Sequence, residues 1–427
     1  MGHLTTRRRT LQWLLGAVPT GAFLVAQGAR ASSPRPTVRV LMPAPFADAT
    51  ADAVRRFNAG PAPWQIAVSR GPLDTEALSD LASSSLLLGD TPFDLLLMDI
   101  SWTARYAAAG WLQPLEPLLG DDALAGMVPA ARLGNAFGGH LWRMPLSGDT
   151  ALLYWRTDLL PRPPRDLREL EAMARELQGR GRVRWGYAGL GRQYEGLSCV
   201  VLEVLHAFGG RWWDGTGGRT ELAGPAAREA ITWLADLVRG GVSPQGVANF
   251  AENDALQLFS AGEAAFLRNW PYAWSLLANT PGPVRGKVGV TPLPGAPGFP
   301  GGGTLGTWGF SLLAGSPQPQ AAAAVIRWFT GPEMQRELLR TQGYAPTWRA
   351  LYDDPDLASR HPLLTVQHQA LDTALVRPLT PLYAQLSDVL QRQVNGLLTS
   401  SEAPAAALAR VQGQSEQILR AMGAAAA

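Results

Sequence analysis

Apolar and polar positions follow one another along this chain in a regular order. Residues 38–42 form a short apolar run that predicts a strand, and 50–58 repeat at helical spacing before stopping at Gly60. Residues 64–69 alternate as a strand does, and 75–88 as a helix does. Residues 93–98 read as a buried strand, with helix residues from Trp102 onward. This β-α-β-α-β order predicts a parallel sheet with helical crossovers. Ligands of such sheets lie beyond the carboxyl ends of strands. Asp99, Ile100, Ser101 and Trp102 fall just past one such end.

A second α/β stretch begins near Pro145. Strands are expected at 151–155 and 185–190, and helices at 166–178 and 196–208, followed by a turn cluster at 216–219. Residues 225–238 are cleanly amphipathic, with Ala226, Ile231, Leu234 and Val238 on one face. Short strands at 264–267 and 288–291, a glycine- and proline-rich loop at 292–303 and a strand at 307–313 come next. Nearly everything after Gln318 is helical, and no internal repeat is visible. That helical quarter has no strands of its own to cover. It must pack on sheets built earlier, so the chain crosses between two lobes more than once.

Composition narrows the reading. Of 427 residues, 46% are hydrophobic and 17% charged, which suits a packed protein and argues against a disordered one. A formal charge of +2 with no basic stripe argues against nucleic acid. The single cysteine, Cys199, excludes a disulfide framework, a cysteine zinc site and an iron–sulfur cluster. Fifteen tryptophans are many, and suit a protein that stacks something flat against them. The first 31 residues read as an export signal: Arg7-Arg8-Arg9-Thr10-Leu11, an apolar run at 13–26, then Ala29-Arg30-Ala31. The paired arginines before Leu11 resemble a twin-arginine leader; an ordinary Sec leader with three arginines is the alternative. The apolar run is shorter than the ~20 residues a membrane span needs. Removing the leader takes away four arginines and no acid, which moves the formal charge from +2 to −2.

Several blocks carry a family resemblance. Phe93-Asp94 through Asp99, Trp102, Ala109-Gly110-Trp111-Leu112 and Pro114-Leu115 form the first; Pro145-Leu146, Asp149 and Leu153 to Leu160 the second. Gln193 to Leu197 with Glu203 and Gly209-Gly210 form the third. Phe259, Gly262 and Ala264 to Phe266, running into Arg268-Asn269-Trp270-Pro271-Tyr272-Ala273, form the fourth. Gly306 to Gly309, Arg377-Pro378 and Tyr383 close the series. In this order they resemble extracytoplasmic solute-binding proteins of ABC importers, in the carbohydrate group that includes maltose, trehalose and glucosylglycerol binders. The resemblance implies an α/β, two-lobed periplasmic-binding-protein fold with hinge crossovers. Lobe 1 would span 32–145 with about 262–314 returning to it. Lobe 2 would span 146–261 with about 315–427 packed on it. It implies a periplasmic monomer that hands a small sugar to membrane permease subunits, with no cofactor and no metal.

Sugar recognition needs flat apolar surface and a few charged hydrogen-bond partners. Stacking contributes about 25 cal/mol per Å² buried, and hydrogen bonds to charged groups about 1.5–3 kcal/mol each. Trp270, Tyr272 and Trp308 are the expected platform, with core packing as the alternative; Gly306 and Thr307, which precede the last, are expected at the ligand as well. Asp99 and Asp149 are the expected hydroxyl acceptors, or else turn and cap acids. Arg377 is the expected donor, or else an ion-pair partner. Glu203 reaches either the hinge cleft or a structural partner, and Trp102 and Trp111 belong to packing. The stretch Pro43-Ala44-Pro45-Phe46 lacks the polar residue the family often carries there, and Arg70 is offset from a usual arginine. Both place the ligand's identity, more than its class, in question. Enzyme signatures are poor: Gly301, Gly303 and Gly306 precede a strand and not a helix, and no nucleophile elbow is present. Glu252 and Asp254 stand two apart on one segment, unlike a glycosidase pair, and read as a helix N-terminus. A secreted glycoside-acting enzyme, a glycerol-phosphate binder and a peptide binder remain the other readings.

Overall fold

A computed structural model describes residues 35–89, 92–214 and 219–426. The expected leader and residues 216–218 of the turn cluster lie outside them. In chain order the elements that position the site are β1 (Thr37–Pro43), α1 (Ala44–Ala59), β2 (Gln65–Gly71), α2 (Thr75–Leu87), β3 (Leu95–Asp99), β4 (Met144–Pro145), β5 (Leu152–Arg156), α3 (Leu167–Gly179), β6 (Trp185–Ala188), α4 (Glu195–Ala207), α5 (Pro225–Arg239), α6 (Glu252–Ser260), β7 (Ala264–Asn269), α7 (Tyr272–Asn279), β8 (Val288–Pro292), β9 (Trp308–Leu312), α8 (Pro319–Thr330), α9 (Pro332–Gln342), α10 (Leu363–Asp372), α11 (Tyr383–Thr399) and α12 (Pro404–Ala426).

The strands form two main sheets. The first has the order β2-β1-β3-β9-β4, with β1, β2 and β3 parallel as the opening pattern predicts and β9 antiparallel to β3. The second has the order β8-β5-β7-β6, with β6 and β7 parallel. Each sheet has its own core. Val40, Leu95, Leu97 and Phe310 of the first pack against Val325, Ile326 and Phe329 of α8. Leu152, Tyr154 and Leu267 of the second pack with Leu197 and Val201 of α4 and Leu386 and Leu390 of α11.

Three boundaries differ from the sequence reading. β7 and β8 belong to the second sheet, so the chain returns to the first lobe only near residue 304, not 262; cross-strand pairing with β5 decides this. The C-terminal helices are divided: α8 and α9 cover the first core, whereas α11 and α12 cover the second. Helix α1 starts at Ala44, six residues before Thr50. Pro45 sits in its first turn, where a missing backbone N–H removes no helical bond.

The chain passes between the sheets three times among the described residues, near 146–151, 293–307 and 373–382. These passes bond to one another. Gly306 N donates to the Asp149 carbonyl (2.8 Å), Leu305 N to Leu375 O (2.8 Å) and Leu375 N to Gly303 O (2.9 Å). A Cβ on Gly303 would stand 2.3 Å from the Ala151 carbonyl, so the passes lie too close for any side chain there.

Candidate functional site

All five parallel strands end toward one place. Chain segments just after β1, β2, β3, β6 and β7 line a cavity of about 650 Å³ between the sheets, and the passes supply Asp149, Gly306 and Arg377. This is where open α/β sheets bind their ligands. Of the eight residues expected from sequence, Asp99, Asp149, Trp270, Tyr272, Gly306, Trp308 and Arg377 line it.

Thr307 does not. Its side chain is fully buried, where its hydroxyl accepts from Nη2 of the buried Arg143 at 2.8 Å and its carbonyl accepts from the same nitrogen. Thr307 immediately precedes β9, and its bonds to Arg143 turn its side chain away from the cavity that Trp308 lines. Burial pushes the Arg143 guanidinium down to about 9, with the Asp99 carboxylate opposing and Arg377 adding to the shift.

Aromatic rings face the cavity from both lobes. Phe46 and Tyr344 stack at 4.6 Å and 11° on the first-lobe side, and Phe46 meets Trp308 at 5.8 Å. The second lobe supplies Tyr194, Trp270 and Tyr272. Trp270 stands in the turn after β7 and Tyr272 opens α7, so Pro271 separates their directions as their spacing requires. Trp270 is pinned on three sides. Its Nε1 donates to Glu252 Oε1 (3.1 Å), the Arg268 guanidinium lies 4.3 Å from its ring centroid, and a Cβ on Gly306 would come within 2.7 Å of its ring. Arg268 is held in turn by the buried Glu203 carboxylate, which also accepts from Thr304 N on a crossing segment (3.1 Å). Glu203 is thus structural and tied to the hinge at once. Trp102 and Trp111 pack together with Tyr106 in the first lobe.

The polar groups are strongly paired. Asp99 Oδ1 accepts from Ser101 N (2.8 Å), capping the short helical turn after β3, and from Arg377 Nη2 (2.8 Å). Nη1 of Arg377 donates to Glu195 Oε1 (2.7 Å), and the Glu195 carboxylate also accepts from the Tyr383 and Ser387 hydroxyls. Arg377 therefore bridges an acid of the first lobe and one of the second. Burial opposes its charge, but the Asp99 and Glu195 carboxylates outweigh that and hold it well above the usual arginine range. Asp149 accepts from Ala345 N (2.9 Å) and makes no ion pair among the described residues. Burial pushes its carboxyl up to about 6, against hydrogen bonds from Ala345 and Ser147.

The lining carries six carboxylates: Asp74, Glu76, Asp99, Asp149, Glu195 and Glu252. It carries two arginines, and both are committed, Arg192 to Asp74 (3.2 Å) and Arg377 to Asp99 and Glu195. The arrangement offers many acceptors to hydroxyl hydrogens and no spare guanidinium to an anion. Three groups were not singled out from sequence. Phe46 follows a strand end, the position rule that did identify Asp99. Tyr194 and Glu195 belong to a quoted block whose side chains carry no distinctive spacing. Glu252 and Asp254 read alike in sequence but divide their work: Asp254 accepts from Ala251 N at the start of α6 (2.8 Å), while Glu252 turns to Trp270.

Comparison with known proteins gives a consistent answer. The family model for bacterial extracellular solute-binding proteins matches residues 68–336. A probable ABC transporter-binding protein of Deinococcus radiodurans is 32% identical over 81% of this chain and 85% of its own length. A mannitol-binding protein of Pseudomonas aeruginosa is 24% identical over 78% of this chain and 83% of its own. The structure of maltose-bound MalE3 from T. maritima superposes with a TM-score of 0.83 at 30% identity, covering 90% of this chain and 99% of that one. These relatives are binding proteins and not enzymes. With its two lobes, interlobe cavity and hinge passes, the chain belongs to the bacterial extracellular solute-binding protein family of ABC importers.

Proposed function

We propose that this protein captures a small, uncharged oligosaccharide or sugar-derived osmolyte, of the glucosylglycerol, trehalose or sucrose type, and delivers it to the permease of an ABC importer. One observation carries the reading: aromatic rings from both lobes face a single cavity whose polar lining is dominated by carboxylates. Rings accept the C–H face of a pyranose, and carboxylates accept its hydroxyls. Trp270, Tyr272 and Trp308 stack the ligand, Asp99 and Asp149 take its hydroxyls, and Gly306 leaves room for the Trp270 ring. Arg377 aims the Asp99 carboxylate through the ion pair it already makes. A phosphate-bearing solute fits poorly, because both cavity arginines are engaged by acids. Export of the monomer by the twin-arginine route belongs to the same proposal.

A thermal-shift panel of trehalose, sucrose, glucosylglycerol, maltose and glycerol-3-phosphate on the chain from Ser32 tests this, with product analysis on each sample. A melting rise with one of the neutral sugars and no products is expected. Turnover of any disaccharide, or a rise with glycerol-3-phosphate alone, would refute it.

A further inference from the structure

The two lobes touch across the mouth of the cavity at one further place. Glu76 lies in the first turn of α2, in the first lobe, and its Oε1 accepts from the backbone N–H of Glu195 at 2.7 Å. Glu195 is the first residue of the thirteen-residue helix α4 in the second lobe, and the residue before it, Tyr194, supplies no side-chain cap. A helix N-terminus has donors without intrahelical partners and a positive end of its dipole. Here the acceptor comes from the opposite lobe. One turn away Arg192 Nη2 meets Asp74 Oδ2 at 3.2 Å, a second contact between the same two segments. Both contacts exist only while the lobes are together.

We propose that Glu76, assisted by the Asp74–Arg192 pair, is a positioning latch that holds the lobes shut by capping α4 from the opposite lobe. It acts through Glu195, whose carboxylate is already fixed by Arg377, Tyr383 and Ser387. The latch depends on closure of the two lobes and not on which solute is bound.

The same geometry makes closure sensitive to pH. The charged groups that act on Glu76 are Asp74 on its own turn and Glu195 at the start of α4; Arg192, three residues before α4, pairs with Asp74, and Arg377 holds Glu195. Burial pushes the Glu76 carboxyl up to about 7; its bond from Glu195 N opposes this, and the Asp74 and Glu195 charges add to it. In open lobes it titrates as an ordinary glutamate near ~4.3. Closing therefore takes up a proton between those values, and the closed population falls as pH rises through 7. A protonated carboxyl still accepts on its carbonyl oxygen, so glutamine imitates the closed, neutral form.

Spin labels at Arg55→Cys in α1 and Glu229→Cys in α5, both exposed, report the distance between lobes. Cys199, the single native cysteine, is buried and does not compete. Distances are measured at pH 5.5 and 8, sugar-free and with maltose as probe, with melting temperature as the fold control. In sugar-free wild type a short-distance population is expected at pH 5.5 and shrinks about tenfold relative to the long one by pH 8. Glu76→Gln keeps it at both pH values. Glu76→Ala loses about tenfold at pH 5.5. Arg192→Asp also loses it, and Asp74→Arg with Arg192→Asp restores it. A wild-type distribution in Glu76→Ala, an unchanged pH response in Glu76→Gln, or no short population in sugar-free wild type at pH 5.5 overturns the latch. If maltose moves nothing while the sugar-free variants behave as stated, maltose is excluded as a ligand and the latch stands.

Discussion

Substituting Gly306 by alanine isolates the proposed stacking platform from everything else. The new Cβ would stand 2.7 and 2.9 Å from two carbons of the Trp270 ring. Carbon atoms rest at about 3.5–4.0 Å, so the ring must withdraw by roughly 0.8 Å. It has little freedom to do so, because Glu252 holds its Nε1 and Arg268 covers its face. Overpacking of this kind costs about 1–3 kcal/mol. If the strain falls on the bound state, affinity drops by about 5- to 150-fold at 1.4 kcal/mol per decade. Gly306 lies outside the left-handed backbone region, so alanine adds no backbone strain there. The assay is isothermal titration with whichever sugar the thermal panel selects, paired with thermal melting. Gly309→Ala is the control. Its Cβ would meet the Met144 carbonyl at 2.7 Å and Arg143 Nε at 2.8 Å, away from the cavity, and should cost stability more than affinity. If Gly306→Ala binds as wild type does while folding normally, Trp270 is not a wall of the binding site.

The remaining expectations concern single side chains. Trp270→Ala should weaken sugar binding more than tenfold, about 1.4 kcal/mol or more, in the same titration; unchanged affinity removes the ring from the site. Thr307→Val should lower the melting temperature through loss of an acceptor for the buried Arg143, about 1–3 kcal/mol, while leaving the titration unaltered. A binding defect without a stability defect would return Thr307 to the cavity. Asp149 has a folded-state value near 6 against about 3.9 unfolded, so the folded state holds its proton more tightly. The resulting stability, about 3 kcal/mol, is full below pH ~4 and is lost as pH rises through 6. Asp149→Asn should therefore be more stable than wild type in urea at pH 8, with the gain gone at pH 4. Equal differences at both pH values would reject burial as the cause.

What was legible in the sequence was mostly what local periodicity controls. The parallel β1-β2-β3 unit follows from apolar runs separated by helical spacing, and the position of Asp99 at a strand end follows from that unit. The aromatic residues that line the cavity stood out because tryptophan beside proline or glycine rarely fills a helix interior. The failures share a cause: each depended on a partner distant in sequence. Thr307 faces Arg143, 164 residues away. β7 and β8 belong to the second sheet because β5 pairs with them, and nothing in an isolated apolar run names its neighbour. The division of the C-terminal helices between two cores is likewise a matter of which sheet still had an uncovered face. The early start of α1 is different; it was hidden by Pro43, which ends β1, and Pro45, which would break a helix in its interior and is harmless in its first turn.

The three passes between the lobes do more than connect them. Asp149 lies on the first, Gly306 just before β9 on the second and Arg377 on the third, and these same segments hydrogen-bond to one another as a small hinge. Arg377 joins an acid at the end of β3 to an acid at the start of α4, so a change in either lobe's orientation must be registered at a cavity wall. Glu203 repeats the pattern, binding Arg268 beneath the Trp270 ring and Thr304 on the second pass. Hinge passes and cavity wall are therefore built from the same residues. Under the proposed binding mode, a solute that presses on Trp270 or on the Asp99 carboxylate acts on side chains whose partners, Arg268 through Glu203 and Arg377 directly, are bonded to or lie on these passes, which would couple capture to closure.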